Sequence, residues 1–146
     1  MFKIIVVLSL LSANKVAFEK LPETVKAAVL KAYPGAKAIS SEEEKEEGKV
    51  VYEVKFKHGG QVIELSMTVD GQVVAEEKVV KLEQTPELVR KAIAAALPKG
   101  ARVERIEQVT EAGKVTYEAA VHNADGSRLE LVVDGEGGVV TRNEKD

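Results

Sequence analysis

The sequence predicts an α+β fold built as a tandem duplication, in which each half is one helix packed on a roughly four-stranded antiparallel sheet. Three kinds of observation support this prediction: a long internal repeat, helical segments bounded by prolines, and alternating runs separated by turn residues. Across the 146 residues, Pro22 recurs as Pro86 and Tyr52 recurs as Tyr117, which are shifts of 64 and 65 residues. A period of that length is a small domain, whereas solenoid units have periods of about 20–50 residues.

Each half begins with a helical segment that lies between two prolines. Pro22 and Pro86 stand where a first helical turn tolerates proline, because the missing N–H would be unpaired there. Pro34 and Pro98 end the segments, and Thr85 is predicted to be the N-cap of the second helix. Apolar residues recur at helical spacing in both segments: Val25, Ala28, Val29, Ala32 and Tyr33, then Leu88, Val89, Ala92, Ile93, Ala96 and Leu97.

Strand-like runs follow each helix. They alternate apolar and polar residues, which predicts antiparallel sheets with one face on the helix and the other toward solvent. The two stretches before these runs, residues 38–41 and 103–109, are predicted to form the first strand of each sheet. Because Val103, Ile106 and Val109 are three residues apart, a helix or a bulged strand remains open there. Turns are predicted at His58-Gly59-Gly60, Asp70-Gly71, Ala124-Asp125-Gly126 and Asp134-Gly135.

The composition argues against several classes of function. A net charge of −3 and a pI near 5.6 give no electrostatic footprint for nucleic acid. The absence of cysteine removes disulfides, thiol nucleophiles and thiolate metal sites. His58 and His122 lack the further ligands of a metal site, and no serine stands in a G-x-S-x-G setting. We therefore expect no enzymatic activity, no metal and no cofactor.

The first residues look like an export signal. One cation at Lys3 precedes an apolar run from Ile4 to Leu11, and small residues follow it, as in secretory signals. The run is too short for a membrane-spanning helix, which needs about 20 residues; a buried strand is the alternative interpretation. The predicted organisation is a signal-like segment 1–20, a first repeat 21–80 and a second repeat 81–146. The mature chain is expected to be exported, without a stable membrane anchor after cleavage.

One charge run and one sheet face are candidate binding surfaces. The acidic run, residues 42–47, is interpreted as a solvated hairpin tip, with contact to a basic partner or a loose cation site as alternatives. If Tyr52 and Tyr117 point at the helices, a mixed apolar and charged set of side chains lies on the opposite faces. Such a mixture is typical of a protein-binding surface, although packing between the repeats is equally compatible with it. The set comprises Val51, Glu53, Lys55, Val62, Glu64, Glu118, Ala120, His122, Arg128, Glu130 and Val132.

Several short motifs mark the two halves: Leu21-Pro22 and Thr85-Pro86, Pro34-Gly35, Tyr52-Glu53-Val54, relaxed to Tyr117-Glu118-Ala119, and Asp70-Gly71. This pattern resembles PepSY-like domains, and in particular the tandem secreted bacterial proteins grouped as β-lactamase-inhibitor-like, PepSY-like. The resemblance covers residues 21–146. It implies a helix on a four-stranded antiparallel sheet in each repeat, no catalysis, and a bacterial protein that is periplasmic or secreted; related PepSY domains occur in metallopeptidase propeptides, where inhibition is the proposed role.

These observations predict a non-enzymatic exported binding module with a protein partner, which inhibits or regulates an envelope or extracellular enzyme such as a peptidase. The alternative is a periplasmic carrier or sensor for a small molecule or a cation. Acid–base catalysis by Glu53 and Glu118 is disfavoured, because the two residues are repeat equivalents on a regular strand.

Overall fold

The computed structural model describes residues 13–46 and 48–145. The chain divides into two compact units, Met1–Glu76 and Glu77–Asp146. Within the described residues, each unit has one α-helix and a set of antiparallel strands. This confirms the predicted α+β class with antiparallel sheets, because helices and strands are segregated rather than alternating along the chain.

Unit 1 contains four strands that pair antiparallel in chain order. A further strand, β5 (Val73–Val80), contains the boundary between the units. The first strand is only two residues long and covers β2 at Glu42 and Glu43 alone. The elements are β1 (Asn14–Lys15), a 3₁₀ turn (Phe18–Lys20), α1 (Glu23–Ala32), β2 (Lys37–Glu46), β3 (Lys49–His58) and β4 (Gln61–Thr68).

Unit 2 also has four strands that pair antiparallel in chain order. Its elements are a 3₁₀ turn (Leu82–Gln84), α2 (Glu87–Ala96), β6 (Arg102–Glu111), β7 (Lys114–His122), β8 (Arg128–Asp134) and β9 (Val139–Lys145).

Some predicted boundaries are wrong. Thr85 is not the N-cap of α2: Pro86 takes that position, because the Thr85 hydroxyl donates a hydrogen bond to the Leu82 carbonyl of the preceding 3₁₀ turn at 2.7 Å. After the predicted Asp70-Gly71 turn, the chain continues as β5 from Val73 to Val80, so the predicted limit of the first repeat at residue 80 coincides with the end of that strand. The predicted signal-like segment falls in part on residues 1–12, which lie outside the described residues; its remainder forms β1 and the first 3₁₀ turn.

The two ambiguous stretches are bulged strands. The register of β2 against β3 shifts between Ala38 and Ser40, and that of β6 against β7 shifts between Val103 and Arg105. A bulge inserts one extra residue, so Val103 and Ile106 both reach the same core although they are three apart. Val109, three residues further along a regular strand, lies on the opposite face.

Each unit has a separate hydrophobic core between its helix and one face of its sheet. Tyr52 and Tyr117 belong to these cores, which confirms that they face the helices. Each fully buried aliphatic side chain contributes about 1.5–3 kcal/mol. The buried members are Leu21, Val25, Val29, Tyr52, Val54, Phe56, Ile63, Leu65 and Met67 in unit 1, and Val89, Ile93, Ile106, Tyr117, Ala119, Val121, Leu129, Leu131 and Val133 in unit 2.

The first turn of each helix lies against a glycine of a hairpin turn. Gly71 has φ +82°, and a Cβ added there would stand 2.5 Å from the Thr24 carbonyl oxygen. The Thr24 hydroxyl also donates a hydrogen bond to the Val69 carbonyl at 2.6 Å. In unit 2, a Cβ on Gly137 would stand 2.7 Å from the Leu88 carbonyl oxygen. Both helices are therefore placed by backbone contacts that only glycine permits.

We expect Gly71→Ala to destabilise the protein by about 1–3 kcal/mol more than Gly59→Ala, because the new methyl group meets the Thr24 carbonyl. Gly59 is the matched control: its φ is also positive, at +56°, but no atom lies within 4 Å of an added Cβ. Urea denaturation followed by circular dichroism measures both variants. Equal losses would show that the backbone conformation alone requires glycine at position 71.

Tyr52 should make stability depend on alkaline pH. Burial, and then a hydrogen bond to Glu43, raise the pKa of Tyr52 above its ordinary value of 10.0. A pKa raised by folding gives stability that is present below about pH 10 and is lost as the pH rises through the folded-state pKa. We expect the free energy of unfolding to fall less between pH 9 and about pH 11 in Tyr52→Phe than in the wild type, by urea titration. Parallel curves would contradict this assignment.

Candidate functional site

All eleven predicted surface residues lie on the sheet faces that point away from the helices. In β3, Tyr52, Val54 and Phe56 belong to the core of unit 1, so the alternating residues between them point to the other side. Residues directly opposite in an antiparallel pair share a face, and the register therefore extends the assignment to β4 and, in unit 2, to β7 and β8. We call these two surfaces the open faces of unit 1 and unit 2.

The open face of unit 1 mixes apolar groups with an ion pair. The Lys55 ammonium lies 3.2 Å from a carboxylate oxygen of Glu64, its direct partner across β3 and β4. Val51 and Val62 are half-buried. The ion pair is partly exposed, so it contributes at most about 1 kcal/mol. This face thus offers apolar area and charge together.

Three carboxylates gather at one end of the same face. One oxygen each from Glu42, Glu44 and Glu53 lies within 4.8 Å of the others. The prediction that the acidic run forms a hairpin tip is wrong for residues 42–46, which belong to β2 because they pair with β3. Alternation then places Glu42 and Glu44 on the open face and Glu43 on the helix side. Carboxylate oxygens suit hard cations, but exposed acidic groups are common without one.

The open face of unit 2 is buried in its middle. Glu118 and its register partner Val132 are only 7% and 8% exposed, and Val109 and Thr116 on the same face are also buried. The expectation that Glu118 and Val132 face solvent is therefore wrong. Glu118 lies on β7, which has a neighbouring strand on either side, and flanking side chains reduce the exposure of such positions.

The rest of that face is accessible. Ala120, His122 and Glu130 are half-buried, and Arg128 is exposed. The register pairs His122 with Arg128 and Ala120 with Glu130. These four predicted residues therefore lie side by side on two neighbouring strands.

Sequence reasoning missed the contribution of the bulged strands. β6 brings Arg102, Arg105 and Glu107 to the open face of unit 2, as β2 brings Glu42 and Glu44 to that of unit 1. Their faces could not be assigned beforehand, because one extra residue at a bulge reverses the alternation on one side of it. The three-residue spacing of Val103, Ile106 and Val109, which breaks the alternation of a regular strand, was the signal of the bulge in β6.

The two histidines have different surroundings. His58 lies on the helix side, where its Nε2 is 3.2 Å from the Pro34 carbonyl oxygen and its ring stands edge-on to Tyr33, with the centroids 5.2 Å apart. His122 lies on the open face of unit 2. These contacts account for His58 as a packing residue at the end of α1.

A shallow cavity of about 470 Å³ opens beside β2 in unit 1, lined by residues 15–19 and 38–41. Its volume falls in the range of small-molecule sites. It lies between the first 3₁₀ turn and the bulged part of β2, not between helix and sheet. Within the described ranges, no helix is long and apolar enough to cross a membrane.

Solved structures share this fold. A DUF2874 family protein from Bacteroides uniformis is 20% identical with a TM-score of 0.73, over 84% of this chain and 88% of that one. A putative periplasmic protein from Bacteroides eggerthii is 19% identical with a TM-score of 0.73, over 85% and 88%. A BLIP-like protein from Bacteroides fragilis is 16% identical with a TM-score of 0.68, over 85% and 86%. No curated protein matches the sequence.

Two family models match the sequence. The model described as "Peptidase propeptide and YPEB domain" matches residues 21–72. The model described as "Putative beta-lactamase-inhibitor-like, PepSY-like" matches residues 51–141, which is more than half of the chain. The resemblance found in the sequence is thereby confirmed, and the chain belongs to the PepSY-like family.

Proposed function

We propose that the chain is a non-catalytic, exported binding module that recognises another protein through its open faces. One observation carries the proposal. In each unit the helix covers one side of the sheet. The other side presents apolar and charged groups together, and many of these groups are accessible. Protein-binding surfaces have this composition, with apolar positions surrounded by polar ones.

The comparisons support the class of function and leave its target open. The family description is inhibitor-like, and one structural neighbour is called periplasmic. Identities of 16–20% support the fold, and a fold does not fix a function. The specific form that we propose is an inhibitor or regulator of a periplasmic or extracellular enzyme such as a peptidase.

We further propose that the two units arose by tandem duplication, as repeats 21–80 and 81–146 behind a signal-like segment 1–20. Both helices have ten residues, and both first sheet strands carry a bulge near their start. The glycines at 71 and 137 also contact equivalent helix turns. Features without a catalytic role that recur in this way are what a duplicated scaffold would keep.

Affinity capture from the periplasmic and secreted fractions of the host tests the proposal. Glu118 is too buried for a charge reversal, so the blocking variant is Val62→Arg with Glu130→Arg, at half-buried positions of the two open faces. We expect the wild-type chain to capture a specific protein and this variant to lose it, because an arginine at each position obstructs docking.

The matched control is Leu30→Arg with Glu87→Arg, which adds the same charge at exposed positions of α1 and α2. Circular dichroism verifies that both baits are folded. The proposal fails if the wild type captures no specific protein, or if both variants retain the captured protein equally.

A cation carrier or sensor is the second candidate, favoured by the Glu42, Glu44 and Glu53 cluster. A ligand that binds only the folded state at 100 times its Kd raises stability by about 2.7 kcal/mol, so thermal melting with Ca²⁺ or Mg²⁺, against NaCl of equal ionic strength, separates the two candidates. We expect no selective rise in Tm. A rise in Tm that is abolished in Glu42→Gln with Glu53→Gln, but is retained in Glu104→Gln, would favour the cation carrier or sensor.

A further inference from the structure

Three basic residues stand side by side at one end of the open face of unit 2. The register pairs Arg102 of β6 with His122 of β7, and His122 with Arg128 of β8. We call Arg102, His122 and Arg128 the basic row. Direct partners in an antiparallel sheet have Cβ atoms about 4.5–5.5 Å apart, so these side chains are close neighbours.

The basic row is poorly neutralised by its surroundings. Like charges directly opposite each other destabilise a sheet. Among the side chains that the structure describes, which in β9 are those of Val139 and Asn143 alone, Arg128 makes no ion pair. The Arg102 guanidinium is 72% exposed, and its carboxylate partner, Glu104, is 3.8 Å away. Asp125 lies near His122, but its carboxylate is held mainly by hydrogen bonds from Ser127. The row therefore presents positive charge to solvent.

The charge of this face changes sign along the strands. The row next to the basic one is Arg105, Ala120 and Glu130, and the third is Glu107, Glu118 and Val132. At about 3.4 Å per residue, the four residues from His122 to Glu118 span roughly 13 Å. In that third row Glu118 is buried and Glu107 pairs with Arg105 at 3.0 Å, so the accessible unpaired charge of the face lies at its basic end.

Unit 1 shows the same order on its own open face. Lys37 and Lys57 are partners at one end, the Lys55–Glu64 ion pair follows, and Glu42 and Glu53 come next. Glu42, Glu53 and Glu64 recur as Glu107, Glu118 and Glu130, and Lys37 recurs as Arg102, so this polarity is a feature that the two open faces share.

We propose that the basic row is a docking subsite for an acidic segment of the protein partner, that is, a stretch rich in aspartate and glutamate. This inference rests on the proposed function and names the chemistry of its partner. Guanidinium groups bind carboxylates through paired hydrogen bonds, and the row offers two of them beside an imidazole. A nucleic acid fits less well, because the row holds only two guanidinium groups and the chain carries a net charge of −3.

Binding of a fluorophore-labelled hexaglutamate peptide to the full chain tests the subsite by fluorescence anisotropy. Arg102→Glu with Arg128→Glu should weaken binding by about tenfold or more. Lys91→Glu with Lys99→Glu, exposed positions of unit 2 outside the row, changes the net charge equally and should have little effect. In NMR spectra, the changes in backbone amide chemical shift on addition of the peptide should cluster at residues 102, 122 and 128. The inference is overturned if both double variants lose affinity equally, or if the shifts fall elsewhere.

Two further probes separate other sources of negative charge. Inorganic phosphate at millimolar concentration should not displace the peptide, and phosphatidylglycerol vesicles should not bind the chain in sedimentation. Displacement by phosphate would reassign the row as a simple anion patch. Vesicle binding lost in Arg102→Glu with Arg128→Glu would reassign it as a membrane contact. Either result overturns the proposal.

Affinity capture with Arg102→Glu and Arg128→Glu as bait, here called the row variant, distinguishes the acidic-segment inference from the proposed binding function. If the wild type captures a partner and the row variant still captures it, the acidic-segment inference fails while the binding function stands. If the wild type captures no partner although the peptide binds the row, the proposed function fails. Loss of the partner by the row variant alone, with the Lys91→Glu and Lys99→Glu bait unaffected, supports both.

Discussion

The packing of one helix on one face of an antiparallel sheet is the constraint on which the rest of each unit depends. Strand residues alternate between faces, so committing Tyr52, Val54 and Phe56 to the helix assigns their neighbours to the open face. The helix in turn is positioned where its first turn meets Gly71. A disturbance of that contact would therefore shift the helix and the sheet together, and with them the geometry of the surface on the far side.

The parts of this structure that follow regular periodicity could be predicted from the sequence. Proline-bounded helices, Asp-Gly turns and the inward orientation of Tyr52 and Tyr117 all have short-range physical causes. The bulges do not, because an inserted residue such as Glu104 is tolerated only in the context of a partner strand. The predicted face consequently lacked every residue from β2 and β6. The sequence also did not predict which residues are buried, because alternation gives the face of the sheet on which a residue such as Glu118 lies but not its exposed fraction.

The open face of unit 2 contains both buried residues and accessible ones. Residues in the middle of the unit 2 face, including Glu118 and Val132, are buried and are constrained by packing, while those at its basic end are accessible. A scaffold of this kind can keep its fold while its rim changes, because the core lies on the other side of the sheet.

The shortness of β1 has a consequence for behaviour at high concentration. A long, flat and uncovered sheet edge invites other chains to add strands, and this leads to aggregation. Among the described residues of unit 1, β1 pairs with the outer edge of β2 at two positions, and the Val16 amide donates to the Ser41 carbonyl at 3.0 Å. Beyond them the bulge between Ala38 and Ser40 distorts the edge, and Lys37 places a charge at its end. The chain thus carries its own protection against polymerisation through that edge of unit 1.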